Sequence, residues 1–586
     1  MIALLRTAIV CLGLAALSAS AAAAPASQSA PEAATGSTAK TVSHAKKFMI
    51  AAANPLAVDA GLEMLRAGGS AADAAVAVQL VLNLVEPQSS GLGGGAFVLF
   101  WDQARQALTA YDGRETAPAA ACADRFLVNG RPRAFDEAVF GGLSVGVPGA
   151  PRLLEAIHKA HGRLPWKRLF EPALRLADNG FAISPRLSLL LRWYGPHSFA
   201  PTARDYFFDR HHRLHPAGTV LRNPAFAATL RALAERGADA FYGGPIAEAI
   251  VDAVRTAPNH QGDMTLADLA AYRVRERSTV CAPYRGRRIC GMGPPSSGGI
   301  AVAQTLALLE PYDIALDPPR PMNARALHLI AEAEKLAFAD RDFYVADPDF
   351  VPQPQKLLDP AYLAQRRRLI DEQRTMGRAY PGTPDPQAKV ALGRDATVEA
   401  AGTSHISIID ADGNALAMTT TIESGFGSRL MAGGFLLNNE LTDFAWRGRD
   451  REGRPVANAV AGGKRPRSSM APTIVFGPDG KVEAVLGSPG GSRIIPYVVK
   501  SLVALIDWKM DAQAAAALMN FGSRGGTVEV EIDRPESLWH ALRLTAYGHA
   551  INADLLTSGT HIIVRRPDGT LEGGADPRRE GVARGD

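Results

Sequence analysis

The chain has 586 residues, 47% hydrophobic and 21% charged, with 56 glycines and 40 prolines, which lies in the globular range and excludes a disordered, collagen-like or coiled-coil chain. At roughly 150 residues per domain this length corresponds to about four units or one large layered core. Lys and Arg exceed Asp and Glu by 63 − 59 = 4, too small a surplus to make nucleic acid or an anionic membrane the partner, so a small or peptide-like substrate is the default.

Arg6 precedes an apolar run from Ala8 to Leu17, and the small residues from Ser18 to Ala24 contain an Ala-x-Ala site, so residues 1–24 read as an export signal. The expectation is a periplasmic or secreted protein. No later stretch offers about 18 uninterrupted apolar residues, so no membrane span is expected after signal removal. Residues 25–47 begin rich in Ala, Ser, Thr and Pro and read as a disordered segment, with order starting near Phe48. Ser70-Ala-Ala-Asp73 resembles a capping box, and 74–85 is apolar on nearly every face, the pattern of a helix buried from all sides. A glycine-rich turn at Gly91, Gly93, Gly94 and Gly95 leads into a strand over 96–101. Helices are expected at 151–161, 172–179, 224–236 and 323–344, the last on an Asn cap. Cys281 and Cys290 flank the turn Tyr284-Arg285-Gly286, leaving a disulfide and two buried thiols as equal alternatives. No C-x-x-C pair marks a metal site.

Two short motifs carry less than they promise. Gly142-Leu-Ser-Val-Gly146 fits the G-x-S-x-G nucleophile elbow, but Pro148, Gly149 and Pro151 stand where its helix would start. His211, His212 and His215 lack an H-E-x-x-H partner and lie in a loop, so no metal is expected there.

Between 380 and 402 periodicity disappears and Pro381, Gly382, Pro384 and Pro386 cluster, marking an exposed loop. Strand composition at 404–410, turn chemistry at Ala411-Asp-Gly-Asn414 and alternation at 415–421 then form a β-hairpin. Thr403 heads its first strand. An internal threonine lacks a base, but cleavage of the Gly402–Thr403 bond would free an α-amine of pKa about 7.7–8.0 beside its own hydroxyl.

The sequence around Thr403 includes Gly402-Thr-Ser-His405, Thr419-Thr-Thr421, Leu436-Leu-Asn-Asn-Glu440 with Asp443, Lys464-Arg-Pro-Arg-Ser-Ser-Met-Ala-Pro472 and Gly487-Ser-Pro-Gly-Gly-Ser-Arg493. Upstream stand Gly69-Ser-Ala-Ala-Asp73, Glu86-Pro87, Tyr111-Asp-Gly-Arg-Glu115 and Gly293-Pro-Pro-Ser-Ser-Gly-Gly299. Together, over roughly 48–579, these blocks resemble the γ-glutamyltranspeptidase (glutathione hydrolase) family of the N-terminal nucleophile hydrolases. The resemblance implies an α/β (α+β) fold, a four-layer αββα sandwich formed jointly by two autoproteolytic subunits. It also implies a precursor that cuts itself into a large subunit (48–402 after the N-terminal segment) and a small catalytic subunit (403–586), which pair as a heterodimer.

Carried over position by position, the resemblance makes Thr403 the nucleophile, Gly402 the residue before the cut and Thr421 the hydroxyl that bonds the nucleophile across the hairpin. Gly490 and Gly491 match the oxyanion hole, where no Cβ blocks the backbone N–H groups. Arg114 with Ser468 and Ser469 matches a clamp for the α-carboxylate of a γ-glutamyl group, and Glu440 and Asp443 the side that takes its ammonium. Glu423 stands where the family commonly has an amide, and as a carboxylate it would add a third negative charge that repels the substrate carboxylate while attracting its ammonium. The stretch 446–463 is shorter than in typical members and lacks the lid tyrosine. The implied activity is transfer of the γ-glutamyl group of glutathione and other γ-glutamyl compounds to water or to an amino-acid or peptide acceptor, with no cofactor. A cephalosporin (glutaryl) acylase is the enzymatic alternative, and an unprocessed solute-binding relative the non-catalytic one.

Overall fold

The computed structural model of the protein describes residues 38–316, 320–353, 355–385, 392–395 and 402–586. The expected export signal and the parts of the proline-rich loop at 386–391 and 396–401 lie outside the described residues.

Two antiparallel seven-stranded sheets organise the molecule. Their strands, in chain order, are β1 (Ser43–Ala45), β2 (Met49–Ala52), β3 (Gly95–Asp102), β4 (Ala107–Gly113), β5 (Arg275–Arg277), β6 (Val280–Tyr284), β7 (Arg287–Gly291), β8 (Ser404–Ile409), β9 (Ala415–Thr421), β10 (Thr473–Phe476), β11 (Val482–Gly487), β12 (His561–Arg565), β13 (Leu571–Ala575) and β14 (Val582–Gly585). One sheet runs β1-β13-β12-β11-β10-β7-β6 and the other β14-β2-β8-β9-β3-β4-β5. Strands from before and after Thr403 interleave: the β8–β9 hairpin sits between β2 and β3. Both sheets mix strands from before and after Thr403, so a cut at 402–403 would leave two pieces held by two shared sheets.

Layering follows from the two-residue period of the strands. In β3, Ala96, Val98 and Phe100 face a core beneath helices α1 (Pro55–Arg66) and α2 (Ala71–Val85). Phe97, Leu99 and Trp101 face a second core that joins the two sheets and continues to α6 (Gly298–Leu309), α7 (Ala324–Tyr344) and α8 (Ile494–Ile506). With both faces covered, β3 reads as a continuous apolar run rather than an alternating one. The result is the expected αββα sandwich.

Local signals hold where chemistry is local. Ser70 caps α2 and Asp73 reciprocates, and every residue of that helix is buried. Helices α3 (Ala150–His161), α4 (Glu171–Asn179), α5 (Pro224–Arg236) and α7 lie within a residue of expectation, the last capped by Asn323. Of the cysteine alternatives the structure has the disulfide: Cys281 and Cys290 face each other across β6 and β7 and are bonded, while Cys122 is free and exposed.

The N-terminal segment needs a correction. Order begins before Phe48, because Ser43–Ala45 pairs with Leu571–Gly573 of β13. Lys40 anchors it by donating to the carbonyls of Asp576, Arg579 and Gly581 at 2.7, 2.7 and 2.5 Å. These partners lie more than five hundred residues away in sequence, so composition alone could not reveal them.

Candidate active site

The antiparallel register brings one residue after another to the same end of the sandwich. Ser404 pairs with Thr420, so the next rung sets Thr403 opposite Thr421. Thr421 pairs with Gly95 of β3, and Ala96 with Gly113, one residue before Arg114. In the facing sheet Thr473 pairs with Leu486, which carries Ser468 and Ser469, ahead of β10, and Gly490 and Gly491, after β11, to that end. A cleft of about 280 Å³, counting its open mouth, lies there, lined by Arg114, Gly402, Thr403, Thr421, Glu423, Glu440, Asp443, Ser468, Ser469, Met470, Gly491 and Ile494. Every residue expected from sequence lines it except Gly490, which sits just behind. Gly490 has φ 144°, and a Cβ on it would stand 2.7 Å from the Tyr497 ring; Gly491, with φ 55°, opens the turn that leads into α8.

Thr403 is 3% exposed. The Thr421 hydroxyl donates to the Gly402 carbonyl and accepts the Glu423 amide proton at 2.8 Å. This differs from the expected bond to the Thr403 hydroxyl. With the chain continuous through 402–403, a peptide carbonyl lies in reach and is the stronger acceptor for the single Thr421 proton. Behind Thr403, the Ser404 hydroxyl donates to Glu86 at 2.7 Å and Arg579 donates to the Thr403 carbonyl at 3.3 Å.

The charged groups meet rather than face each other across a gap. Arg114, 1% exposed, pairs directly with Glu440 and, at 2.6 Å, with Asp443, and it also donates to the carbonyls of Pro466 and Arg467. Glu115 lies 3.9 Å from the same guanidinium. Desolvation outweighs Arg114 and raises the Glu440 carboxyl well above its usual range, and burial pushes Glu115 up to about 7. Glu423 is 4% exposed and in a left-handed conformation, φ 74°, uncommon for a glutamate. Its Oε2 accepts from Asn439. Burial first and Asp443 second push its carboxyl up to about 8. Burial thus works against the expected third negative charge, favouring the protonated form of this side chain.

Ser469 accepts from Arg341 at 2.5 Å, and Ser468 accepts the Met470 amide at 3.1 Å. The stretch 446–463 packs beside the cleft without lining it: Trp446 stacks on Phe126, and Asn458 donates to the Asp443 carbonyl at 2.7 Å. Other motifs stay apart from this chemistry. Ser144 is buried and donates to the Val139 carbonyl at 2.7 Å, and His211 and His212 are exposed. Among the described residues His328, Glu332 and His549 form the one cluster with metal-ligand chemistry. There the Lys335 ammonium, 2.8 Å from Glu332 and 3.2 Å from His549, already supplies the cation. Sequence reasoning gave no role to Glu86, Arg341, Asn439 or Arg579. Glu86 and Asn439 lie inside the quoted blocks, so the available signal was a polar residue in a family motif; Arg341 lies mid-helix and carried none.

Two antiparallel sheets between helical layers, with a threonine at the head of a central strand opening into a cleft, define the N-terminal nucleophile hydrolase class of fold. Residues 57–585 match the family model described as Gamma-glutamyltranspeptidase. The glutathione hydrolase proenzyme of Escherichia coli (strain K12) is 36% identical over 548 residues, 91% of each chain. Among solved structures, a cephalosporin acylase from Bacillus halodurans superposes with a TM-score of 0.80 at 28% identity, over 94% of this chain and 97% of that one. The Helicobacter pylori gamma-glutamyltranspeptidase gives 0.55 at 32% identity, over 60% of this chain and 99% of that one. The chain belongs to the gamma-glutamyltranspeptidase family.

Proposed function

We propose that the protein is an exported, self-processing γ-glutamyltransferase and glutathione hydrolase with Thr403 as its nucleophile. The observation that carries this reading is the single cleft in which Thr403, Thr421 and Gly491 meet a guanidinium, three acids and two serine hydroxyls. In the precursor the Thr403 hydroxyl oxygen attacks the Gly402 carbonyl carbon, which Thr421 polarises by donating to its oxygen. The peptide C–N bond breaks as the ester forms, the amine nitrogen takes the hydroxyl proton, and water then opens the ester to give a Gly402 carboxylate and a free Thr403 amine. That amine serves as base for the second reaction. The hydroxyl attacks the γ-carbonyl of a γ-glutamyl amide, the N–H groups at Gly490 and Gly491 stabilise the oxyanion, and the leaving amine departs with a proton. Water or an amino-acid or peptide amine then takes the acyl group from Thr403. Arg114 with Ser468 and Ser469 receives the α-carboxylate, while Glu440 and Asp443 receive the ammonium. Since 446–463 supplies no lining residue, water reaches the acyl-enzyme readily and hydrolysis competes with transfer.

Electrophoresis and N-terminal sequencing of the purified protein, with turnover of γ-glutamyl and glutaryl anilides side by side, test the reading. Two fragments meeting at Gly402–Thr403 and a preference for γ-glutamyl support it. A smaller fragment starting elsewhere refutes Thr403 as the nucleophile, and a glutaryl preference refutes the substrate reading in favour of the acylase.

A further inference from the structure

Three backbone carbonyls converge on one side chain near the start of the described chain. The Lys40 ammonium donates to Asp576, Arg579 and Gly581 at 2.7, 2.7 and 2.5 Å. An ammonium has three donors and all three are used here, so this lysine is a fitted tripod rather than a solvated surface charge. Its acceptors lie in the loop 576–581 that joins β13 to β14. The segment around Lys40 is itself fixed, since the Thr38 amide donates to the Pro577 carbonyl at 3.0 Å and Ser43–Ala45 pairs with β13. Other side chains of the loop have their own anchors: Arg578 pairs with Glu531 and Asp576, and Glu580 accepts the Arg186 amide at 2.9 Å. Arg579 reaches the site. It is 3% exposed and donates to the Ser558 carbonyl at 3.2 Å and to the Thr403 carbonyl at 3.3 Å.

We propose that Lys40 is a positioning residue for the nucleophile, fixing through the loop 576–581 the Arg579 guanidinium that holds the Thr403 carbonyl. The inference deepens the reading of Thr403 as nucleophile and rests on it. Before the cut Thr403 is restrained from both sides, by the Ser404–Thr420 pairing and by Gly402, whose carbonyl accepts from Thr421. Cleavage removes the Gly402 side. The plane of the 403–404 peptide, from which the amine and the hydroxyl both hang, is then set by the strand pairing and by Arg579. Without the Lys40 ammonium three carbonyls gathered around one point lose their shared donor and must turn toward others, which shifts the loop that carries Arg579. A displacement of about 1 Å at reacting groups costs about 10²-fold in rate, so turnover senses a shift too small to unfold the loop. The amine is the base for both formation and release of the acyl-enzyme, so the two steps slow together and kcat falls while KM holds. The groups assigned to the γ-glutamyl head, Arg114, Glu440, Asp443, Ser468 and Ser469, stand on other segments.

Lys40→Met, Arg579→Met and the double variant, each assayed as processed enzyme on a γ-glutamyl anilide, test the inference. Lys40→Met should cleave itself at a rate within about threefold of wild type, keep KM within about threefold and lose about 10- to 100-fold in kcat. The double variant should be no slower than Arg579→Met, because Lys40 acts through that guanidinium, whereas two independent losses would multiply. If Arg579→Met does not accumulate as folded protein, Arg579→Gln takes its place in the cycle. A kcat for Lys40→Met within about threefold of wild type overturns the inference while leaving the nucleophile in place. So does a loss carried by KM, a self-cleavage rate that falls as far as kcat, or multiplied losses in the double variant. If wild type yields no small fragment beginning at Thr403, or processed wild type turns over no γ-glutamyl anilide, the underlying reading fails first and Lys40 loses its target with it.

Discussion

Replacing Arg114 by alanine probes the cleft most directly, because this buried guanidinium is the one that lines it and binds Glu440, Asp443 and the carbonyls of Pro466 and Arg467. At an effective dielectric of about 20, unit charges about 4 Å apart attract by about 4 kcal/mol. Loss of one partner of a desolvated pair costs about 2–5 kcal/mol. The two consequences should differ in size. Folding is partly protected, since Glu440 and Glu423 are already biased toward holding protons, and a loss of about 2–3 kcal/mol at pH 7 is expected. Turnover has no such protection, since a protonated acid cannot replace a fork of donors in front of a carboxylate. A deficit of about 3–5 kcal/mol there corresponds to a fall of about 200- to 5000-fold in kcat/KM. Steady-state assay of a γ-glutamyl anilide, normalised to the processed fraction, measures it. Arg114→Lys should restore more stability than activity, because charge returns without bidentate geometry. Processed Arg114→Ala with kcat/KM within about threefold of wild type would refute the assignment of this pocket.

Three further outcomes follow from the same geometry. Thr403→Ala should remain a single inactive chain on a denaturing gel, and Thr403→Ser should process more slowly, since it keeps the hydroxyl but loses the methyl that restricts its rotamer. Thr421→Val removes the donor to the Gly402 carbonyl and should slow self-cleavage by about 10²-fold, read as the rate of band appearance after refolding; an unchanged rate would remove Thr421 from that step. Replacing Cys281 and Cys290 together by alanine opens a loop with a sequence separation of 9 and should lower unfolding stability by up to about 2.5 kcal/mol in denaturant titration.

Much of the site was legible because its residues sit in short, chemically explicit blocks at strand ends. The hairpin was readable from alternation and turn chemistry, and an antiparallel hairpin sets Thr403 against Thr421 without further information. What sequence could not supply was the distance between charges. Arg114 and Glu440 are 326 residues apart in the chain, and nothing in either block says whether they stand on opposite walls or touch. Burial is equally invisible in one dimension. Glu423 looked like an added negative charge because its neighbours in sequence are polar, whereas in three dimensions it is enclosed with other acids and its proton affinity rises. The early strand at Ser43–Ala45 was missed for the same reason, its partners lying at the far end of the chain.

A preformed ion pair also changes how acyl preference arises. In the cleft Arg114 is paired with Asp443 and Glu440. A γ-glutamyl head brings one carboxylate and one ammonium, so with Glu440 biased toward holding its proton its insertion replaces internal pairing with two new pairs and leaves no ionised acid unmatched. A glutaryl group brings the carboxylate alone; it draws Arg114 from its acids and leaves one of them needing a proton. For a carboxyl whose pKa lies n units below the ambient pH, supplying that proton costs about 1.4n kcal/mol. Discrimination against glutaryl should therefore be smallest in acid and grow toward alkaline pH, because the displaced acid is protonated at low pH in any case. The sign is that of a proton taken up with glutaryl and not with γ-glutamyl. Measured as kcat/KM for glutaryl over γ-glutamyl anilide, the ratio should fall by about tenfold per pH unit where the displaced acid titrates. A ratio constant from pH 6 to 9 would mean that no acid is uncovered when the ammonium is missing, and that Glu440 and Asp443 are not its binding wall.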